Sequence, residues 1–376
     1  NMLLSKNSDT ILPKKWPSYF LRAKGCYIWD LDDNKFIDFS YMGVGTNILG
    51  YANSSIDSHV KRAINHGNIS SLNSPEEVYL AEKLLSMHKW AGKVKFARTG
   101  GEANTIAIRI ARAASKNDKV AVCGYHGWHD WYLSANLKKS NSLNQHLLKG
   151  LKTKGVPKDL KGNTFTFLYN DFKSLQNLVN KEKISIIKME VMRNIYPKDN
   201  FLKKVRDLCN KKKIILIFDE CTSGFRETFG GLHLKYKVNP DIATFGKSLG
   251  NGYPITAVLG RSKFMKFADE TFISSTFWSE KLGYVAALKT LELMNKKKTW
   301  SLITKKGIKL QNKIKNLAQF NKLDVEFIGI PSLFTFNIKS KYKRNYKPII
   351  TSEMLKYGIL ATSSIYVSIS HTDKII

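Results

Sequence analysis

The sequence predicts an α/β fold whose larger part is a mostly parallel sheet with helices on both faces. Three observations predict it. From about residue 77 to residue 258, short apolar runs alternate with amphipathic stretches, the pattern of repeated strand and helix. The run Ile214-Ile215-Leu216-Ile217-Phe218 is unbroken and ends on Asp219-Glu220, as a strand buried on both faces does. Val94-Lys95-Phe96-Ala97 leads through Gly100-Gly101 into a helix, giving strand, glycine turn and helix in immediate succession.

An N-terminal arm runs to about Gly25, and short strands follow near residues 27–30 and 36–39. A helix is expected over about 55–65, with Ile56, Val60 and Ile64 on one side. The helix after Gly100-Gly101 carries Ala107, Ile108, Ile110, Ala111 and Ala114 as an apolar stripe and turns Arg109 and Arg112 to solvent. Lys119-Val120-Ala121-Val122-Cys123 reads as the next strand, and Tyr125 through Trp131 as the loop beyond it. Residues 137–161, rich in Lys, Ser, Asn and Gly, read as a mobile excursion near the site, in the manner of a lid. A strand ending at Glu190 and a helix over about 200–210, with Leu202, Val205 and Leu208 on its face, precede the Asp219 strand. From about residue 280 a long helix leads into a smaller α+β region. The expected division is residues 1–50 as arm and strands of a small domain, 51–280 as the large domain and 281–376 as the rest of the small one.

The candidate chemistry sits at strand ends. Lys247 follows the apolar Ile242-Ala243-Thr244-Phe245 and precedes a glycine-rich turn. An ε-amine becomes a nucleophile toward carbonyls when it is withdrawn from water or its pKa is lowered by neighbours; the other reading is one more solvated lysine. Asp219 ends a parallel strand, the edge where open α/β sheets bind ligands. A carboxylate there can keep a pyridinium nitrogen protonated, or it can cap the following turn. The Gly100-Gly101 helix start offers backbone N–H groups to an anion, with Thr99 adding a hydroxyl and Glu102 favouring the positive helix end. Tyr125 is placed to stack on a flat ring, while Trp128 and Trp131 read as packing residues.

Thr99-Gly100-Gly101-Glu102-Ala103, Tyr125-His126-Gly127, Asp219-Glu220-Cys221-Thr222-Ser223-Gly224-Phe225-Arg226 and Phe245-Gly246-Lys247, in this order, resemble the class III aminotransferases. Within that family the chain looks like the glutamate-1-semialdehyde aminomutase-like branch. The resemblance implies a fold type I transferase with a large seven-stranded-type domain, the cofactor pyridoxal 5′-phosphate, and Lys247 as its internal-aldimine lysine. It implies that Asp219 pairs with the pyridine nitrogen, that Tyr125 stacks on one ring face and Cys221 on the other, and that Gly100 and Gly101 bind the phosphate. Glu190 matches a family glutamate near the cofactor, although Val191 stands where the family has proline, and Asn194 lies where the phenolic oxygen is reached. Thr276, beside Ser275, matches a phosphate contact that comes from the partner subunit of a homodimer. Semialdehyde aminomutases resemble one another in an N-terminal segment whose arginine meets the substrate carboxylate, and residues 12–25 depart from it. The expected reaction is therefore amino transfer from a small-molecule donor to a polar carbonyl acceptor such as a keto-sugar, with an intramolecular aminomutase as the alternative.

Composition bounds these expectations. A chain of 376 residues with 43% hydrophobic content can bury a substantial core in two domains. No apolar run approaches the roughly 20 residues of a membrane helix, no signal peptide opens the chain, and Asn1 ahead of Met2 reads as a remnant of cloning. Cys26, Cys123, Cys209 and Cys221 lie far apart without metal-like spacing, as reduced thiols of a cytoplasmic protein do. The formal charge of +31 comes from lysines scattered in short runs such as Lys211-Lys212-Lys213, Lys296-Lys297-Lys298 and Lys341-Tyr342-Lys343-Arg344. No helix-turn-helix, zinc or RNA-binding signature accompanies them, so no specific nucleic-acid partner is expected.

Overall fold

The computed structural model describes residues 6–146, 148–339 and 346–376. The Lys341-Tyr342-Lys343-Arg344 run and the Asn1-Met2 start lie outside them. The chain forms two compact units.

The first unit comprises Asn1–His66, Gly250–Tyr253 and Val285–Ile376. Its strands Phe20–Lys24, Tyr27–Asp30 and Lys35–Asp38 form an antiparallel meander, and the short Ile359–Leu360 adds to Lys35–Asp38 in parallel. A second antiparallel sheet is made of Asp324–Ile330, Leu333–Lys339 and Ser364–Tyr366. Phe39, Ile303, Phe334, Phe336, Ile365 and Val367 form its core. The helix Ser54–Asn65 buries Ile56, Val60 and Ala63 and is capped by Asn53, whose amide also donates to the Leu49 carbonyl at 3.3 Å. Through these ties residues 51–66 group with the first unit, where the sequence reading had set them at the start of the large domain. The single long helix expected from residue 280 is two, Lys281–Lys297 and Thr299–Phe320, because Lys298 takes a left-handed φ of 49° between them.

The second unit, Gly67–Leu249 and Pro254–Tyr284, holds the seven-stranded sheet. Its spatial order is Lys93–Ala97, Thr256–Gly260, Ile242–Phe245, Ile215–Asp219, Ile186–Glu190, Val120–Cys123 and Thr164–Thr166. Thr256–Gly260 runs antiparallel to both neighbours; the other pairings are parallel. Ile186–Glu190, Ile215–Asp219 and Ile242–Phe245 are buried along their whole length, as both-face coverage of a parallel sheet requires. The helix Gly100–Ser115 packs its buried Ala103, Ala107, Ile108, Ile110 and Ala111 on this sheet. Arg112, read as solvent-facing, is half-buried and folds back onto the Asp118 carbonyl. The helices Gly100–Ser115, Phe172–Glu182 and Phe201–Lys212 end on Lys116, Lys183 and Lys213 in the left-handed region. Lysine there costs some backbone strain but sets a cation at the negative end of the helix, so part of the high charge serves local structure.

The described residues of 137–161, read from composition as a mobile excursion, make specific contacts with the unit. Leu143 is fully buried, Asn136 accepts from the Leu143 amide and donates to the Leu151 carbonyl at 2.9 Å each, and the Gly124 amide donates to His146 Nδ1 at 3.0 Å. Among the described residues no helix is long and apolar enough to cross a membrane.

Candidate active site

The parallel register brings the candidate residues to one edge of the sheet. Glu190 pairs with Asp219 and Asp219 with Thr244, so the carboxyl ends of three adjacent strands lie side by side. The loop after Cys123 and the turn after Phe245 leave from that edge.

At the start of Gly100–Ser115, Thr99 and Glu102 form a capping box: the Glu102 amide donates to Thr99 Oγ1 at 3.3 Å, and Glu102 Oε2 accepts from the Thr99 and Arg98 amides at 2.8 and 3.0 Å. The Thr99 hydroxyl also donates to Glu102 Oε2 at 3.2 Å. The first-turn amides of Gly100 and Gly101 point out of the helix, as helix starts require. A Cβ on Gly101 would lie 3.1 Å from His129 Nε2, and one on Gly127, whose φ is +105°, would lie 3.2 Å from the Gly101 Cα. Both glycines are needed for the turn and the loop to come this close. The outward course of the chain at Gly127 also leaves Trp128 71% exposed on the rim, contrary to the packing role read for it, whereas Trp131 is buried in the core.

Asp219 is almost fully buried and densely hydrogen-bonded. Its Oδ2 accepts from Asn104 Nδ2 and His126 Nδ1 at 2.8 Å each, and its Oδ1 from the Cys221 amide at 3.0 Å and Thr244 Oγ1 at 3.3 Å. Burial alone would raise its pKa, but the His126 hydrogen bond and the nearby Lys188 charge outweigh it and hold the carboxyl well below the usual range. Asn104 and His126 were not singled out in the sequence. An amide on the buried face of an apolar helix was the available signal for Asn104; His126 sits in a loop without periodicity.

Lys247 opens a short turn directly after Ile242–Phe245, with φ of 35°. Its Nζ donates to Thr222 Oγ1 at 2.6 Å, and Arg193 Nη1 donates to the same hydroxyl at 3.2 Å and to Glu190 Oε1 at 2.9 Å. The residue is partly exposed at the cavity, while the packing around its amine desolvates it. This desolvation, and then the Arg193 charge, bring the amine from 10.5 down to about 8. Lys188 is a second lysine beneath the site. It lies opposite Ile217, one pleat below the Glu190 and Asp219 pair on the same sheet face, and its buried Nζ has no hydrogen-bond partner among the described residues. Desolvation lowers its pKa, and Asp219 opposes the shift.

Thr99, Gly100, Gly101, Tyr125, Asp219, Cys221 and Lys247 line one cavity of about 640 Å³. Burial first, and then the Asp219 charge, raise the Cys221 thiol, so it presents a neutral sulfur. Glu190 does not line this cavity; its Oε2 accepts the Tyr125 amide at 3.1 Å from the adjoining one. Thr276 also stands outside it, exposed in the turn Thr276–Ser279. The carbonyls of Phe277, Trp278 and Glu280 in and after that turn accept from Arg98 at 2.8, 2.9 and 2.7 Å.

A flat, phosphorylated pyridine aldehyde fits this donor set. An ionised carboxylate would suit a cationic ring nitrogen, open helix-start amides a phosphate and an amine of lowered pKa an aldehyde, and no Cβ intrudes at Gly100 or Gly101. Fold and site thus define a pyridoxal 5′-phosphate enzyme of fold type I. The chain belongs to the class III aminotransferases, whose sequence model, aminotransferase class-III, matches residues 13–369. It is 32% identical over 378 residues to a 3-aminobutyryl-CoA aminotransferase of Cloacimonas acidaminovorans (strain Evry), covering 96% of this chain and 87% of that one. It is 31% identical over 395 residues to a glutamate-1-semialdehyde 2,1-aminomutase of Methanococcus maripaludis (strain DSM 14266), covering 98% and 91%. The FumI protein of Sphingopyxis sp. MTA144, solved in its PLP internal aldimine form, shares the fold with a TM-score of 0.87 at 23% identity, over 100% of this chain and 89% of that one.

The lowered Lys247 amine has a measurable consequence. Only the free amine attacks an aldehyde, so cofactor uptake by the apoenzyme should accelerate as pH rises through about 8 and level off above it. Stopped-flow absorbance against pH checks this; a rise delayed to the ordinary lysine value of 10.5 would contradict it.

Proposed function

We propose that this enzyme moves an amino group from a small amino donor to a polar carbonyl acceptor, with Lys247 and Asp219 as its catalytic residues. The reading is carried by the meeting, in one cavity, of an amine at about 8 and a carboxylate held ionised. When bound, pyridoxal 5′-phosphate supplies an electron sink in its pyridine ring. The Gly100 and Gly101 amides would hold its phosphate, and Asp219 would keep the proton on the ring nitrogen. Tyr125 and Cys221 bound the ring slot from opposite faces. Lys247 would hold the cofactor's aldehyde end, and its amine, when free, would take the proton from the donor's α-carbon as general base. Glu190 acts at one remove, by fixing the Tyr125 backbone.

A homodimer completes the site in this reading, with Thr276 of each copy reaching the other's phosphate; its exposure in Thr276–Ser279 supports this. The four free, buried cysteines support a reducing, cytoplasmic setting. As acceptor we retain a keto-sugar or related polar carbonyl. Its support is the departure of residues 12–25 from the aminomutase arm; neither relative named above carries such a substrate in its name. The likeness to the Methanococcus protein favours the second reading, an intramolecular aminomutase. Glutamate-1-semialdehyde offered to the holoenzyme separates the two. Slow or absent formation of 5-aminolevulinate, with bleaching of the cofactor band by amino donors, is expected; efficient conversion would overturn the transaminase reading.

A further inference from the structure

The start of the helix Gly100–Ser115 leaves two donors open. Thr99 Oγ1 takes the Glu102 amide and the Thr99 carbonyl takes the Ala103 amide, while the Gly100 and Gly101 amides have no partner among the described residues. The side of Gly101 where a Cβ would stand is filled from the neighbouring loop: that point lies 3.1 Å from His129 Nε2 and 3.7 Å from Trp128 Nε1. An imidazole nitrogen thus takes the space that a side chain at position 101 would need. His129 and both glycines line the same cavity as Lys247 and Asp219.

The proton of this ring is placed by two residues behind it. Trp131 Nε1, which can only donate, donates to Thr105 Oγ1 at 3.0 Å. The Thr105 hydroxyl lies 2.6 Å from His129 Nδ1, the one acceptor it meets among the described residues. It therefore donates to Nδ1, and the neutral ring carries its own proton on Nε2. Desolvation lowers the pKa of His129 against the opposing charges of Glu102 and Asp130, which keeps the ring neutral at neutral pH. His129 is half-buried at the cavity wall, and its Nε2–H has no partner among the described residues.

We propose that His129 is a ligand of the cofactor's phosphate, its Nε2–H joining the Gly100 and Gly101 amides around the anion. From Trp131 through Thr105 to His129 every donor is aimed the same way, which polarises the last N–H and strengthens its hydrogen bond to an anion. Gly101 and Gly127 permit the arrangement, because a Cβ at either position would press the loop and the helix apart. The inference rests on the placement of the phosphate at the Gly100-Gly101 turn in the reading above, and adds the side chain that completes it.

The test is cofactor binding by the full chain, titrated by absorbance with pyridoxal 5′-phosphate and with pyridoxal, which lacks the phosphate. His129→Phe is expected to weaken binding of the phosphorylated compound about 10- to 100-fold, as loss of one charge-assisted hydrogen bond does, and to leave pyridoxal within about two-fold. His129→Gln, whose amide can reach the place of Nε2, should recover most of the loss; His129→Asn, which reaches only as far as Nδ1, should not. A phosphate preference unchanged in His129→Phe, or an equal loss on both compounds, overturns the assignment. If His129→Phe does not fold, the two amide variants decide. Binding of the phosphorylated compound at least about five-fold tighter by the Gln variant than by the Asn variant, with pyridoxal bound alike, supports the assignment. Equal affinities overturn it. A wild-type enzyme that binds both compounds equally removes the phosphate from the Gly100-Gly101 turn, and His129 with it. A wild-type preference for the phosphorylated compound that survives in the variants removes His129 alone.

Discussion

Lys247→Ala is expected to slow the amino-transfer half-reaction by about 10⁴-fold or more and to abolish the borohydride-sensitive cofactor band. The substitution removes two functions at once. General-base proton transfer alone contributes about 10²–10⁴-fold, and the covalent anchor is lost with it. The fold should survive, because the Nζ makes one hydrogen bond, to Thr222, and the amine is held in a setting that disfavours its charge. The variant should therefore melt near the wild-type temperature while still binding the cofactor non-covalently at the Gly100-Gly101 turn. A borohydride-sensitive band that persists would assign the anchor to another lysine, and the buried amine of Lys188 would be the first to examine.

Asp219→Asn should lower the same rate by about 10²–10³-fold, with a smaller loss of cofactor affinity. Two costs combine. A charge-assisted hydrogen bond contributes about 1.5–3 kcal/mol, and a buried donor left unsatisfied costs about 1–3 kcal/mol; each 1.36 kcal/mol is a factor of ten in rate. Placed at Oδ2, the Asn nitrogen would meet the donors Asn104 Nδ2 and His126 Nδ1, and placed at Oδ1 it would meet the Cys221 amide, so in either orientation at least one donor pair meets head to head. The negative charge that offsets Lys188 would also be gone. Half-reaction kinetics and cofactor titration measure the two effects separately. A rate within ten-fold of wild type would return Asp219 to the role of a turn cap, accepting from the Cys221 amide.

Lys247 and Asp219 were legible as candidates because each follows a continuous apolar run. A short apolar run followed by acids or glycines fits a strand buried on both faces, and the end of a buried parallel strand is a defined place. The Gly100-Gly101 turn was legible because strand, glycines and amphipathic helix follow each other without a gap. Thr99 lines the cavity, and its spacing to Glu102 also makes its hydroxyl part of a helix cap. The polar composition of residues 137–161 hides how they pack: the buried Leu143 and hydrogen bonds to the Asn136 and Asn144 side chains hold the described part of the segment. Lys298 broke the long helix where nothing in the periodicity announced it.

By itself, then, the sequence determined the α/β class, the strand that ends at Asp219, the turn that carries Lys247 and the glycines that admit an anion. All of these are local consequences of apolar periodicity and backbone freedom. Only the tertiary structure decided that Asn104, His126 and Thr244 hold the Asp219 carboxylate, that Arg193 and Lys247 share the Thr222 hydroxyl, and that His146 comes back against Gly124. Those pairs are separated by as many as 115 residues, as between Asn104 and Asp219. Their distances are set by strand register and loop return, and their ionisation by burial; neither is a property of any segment taken alone.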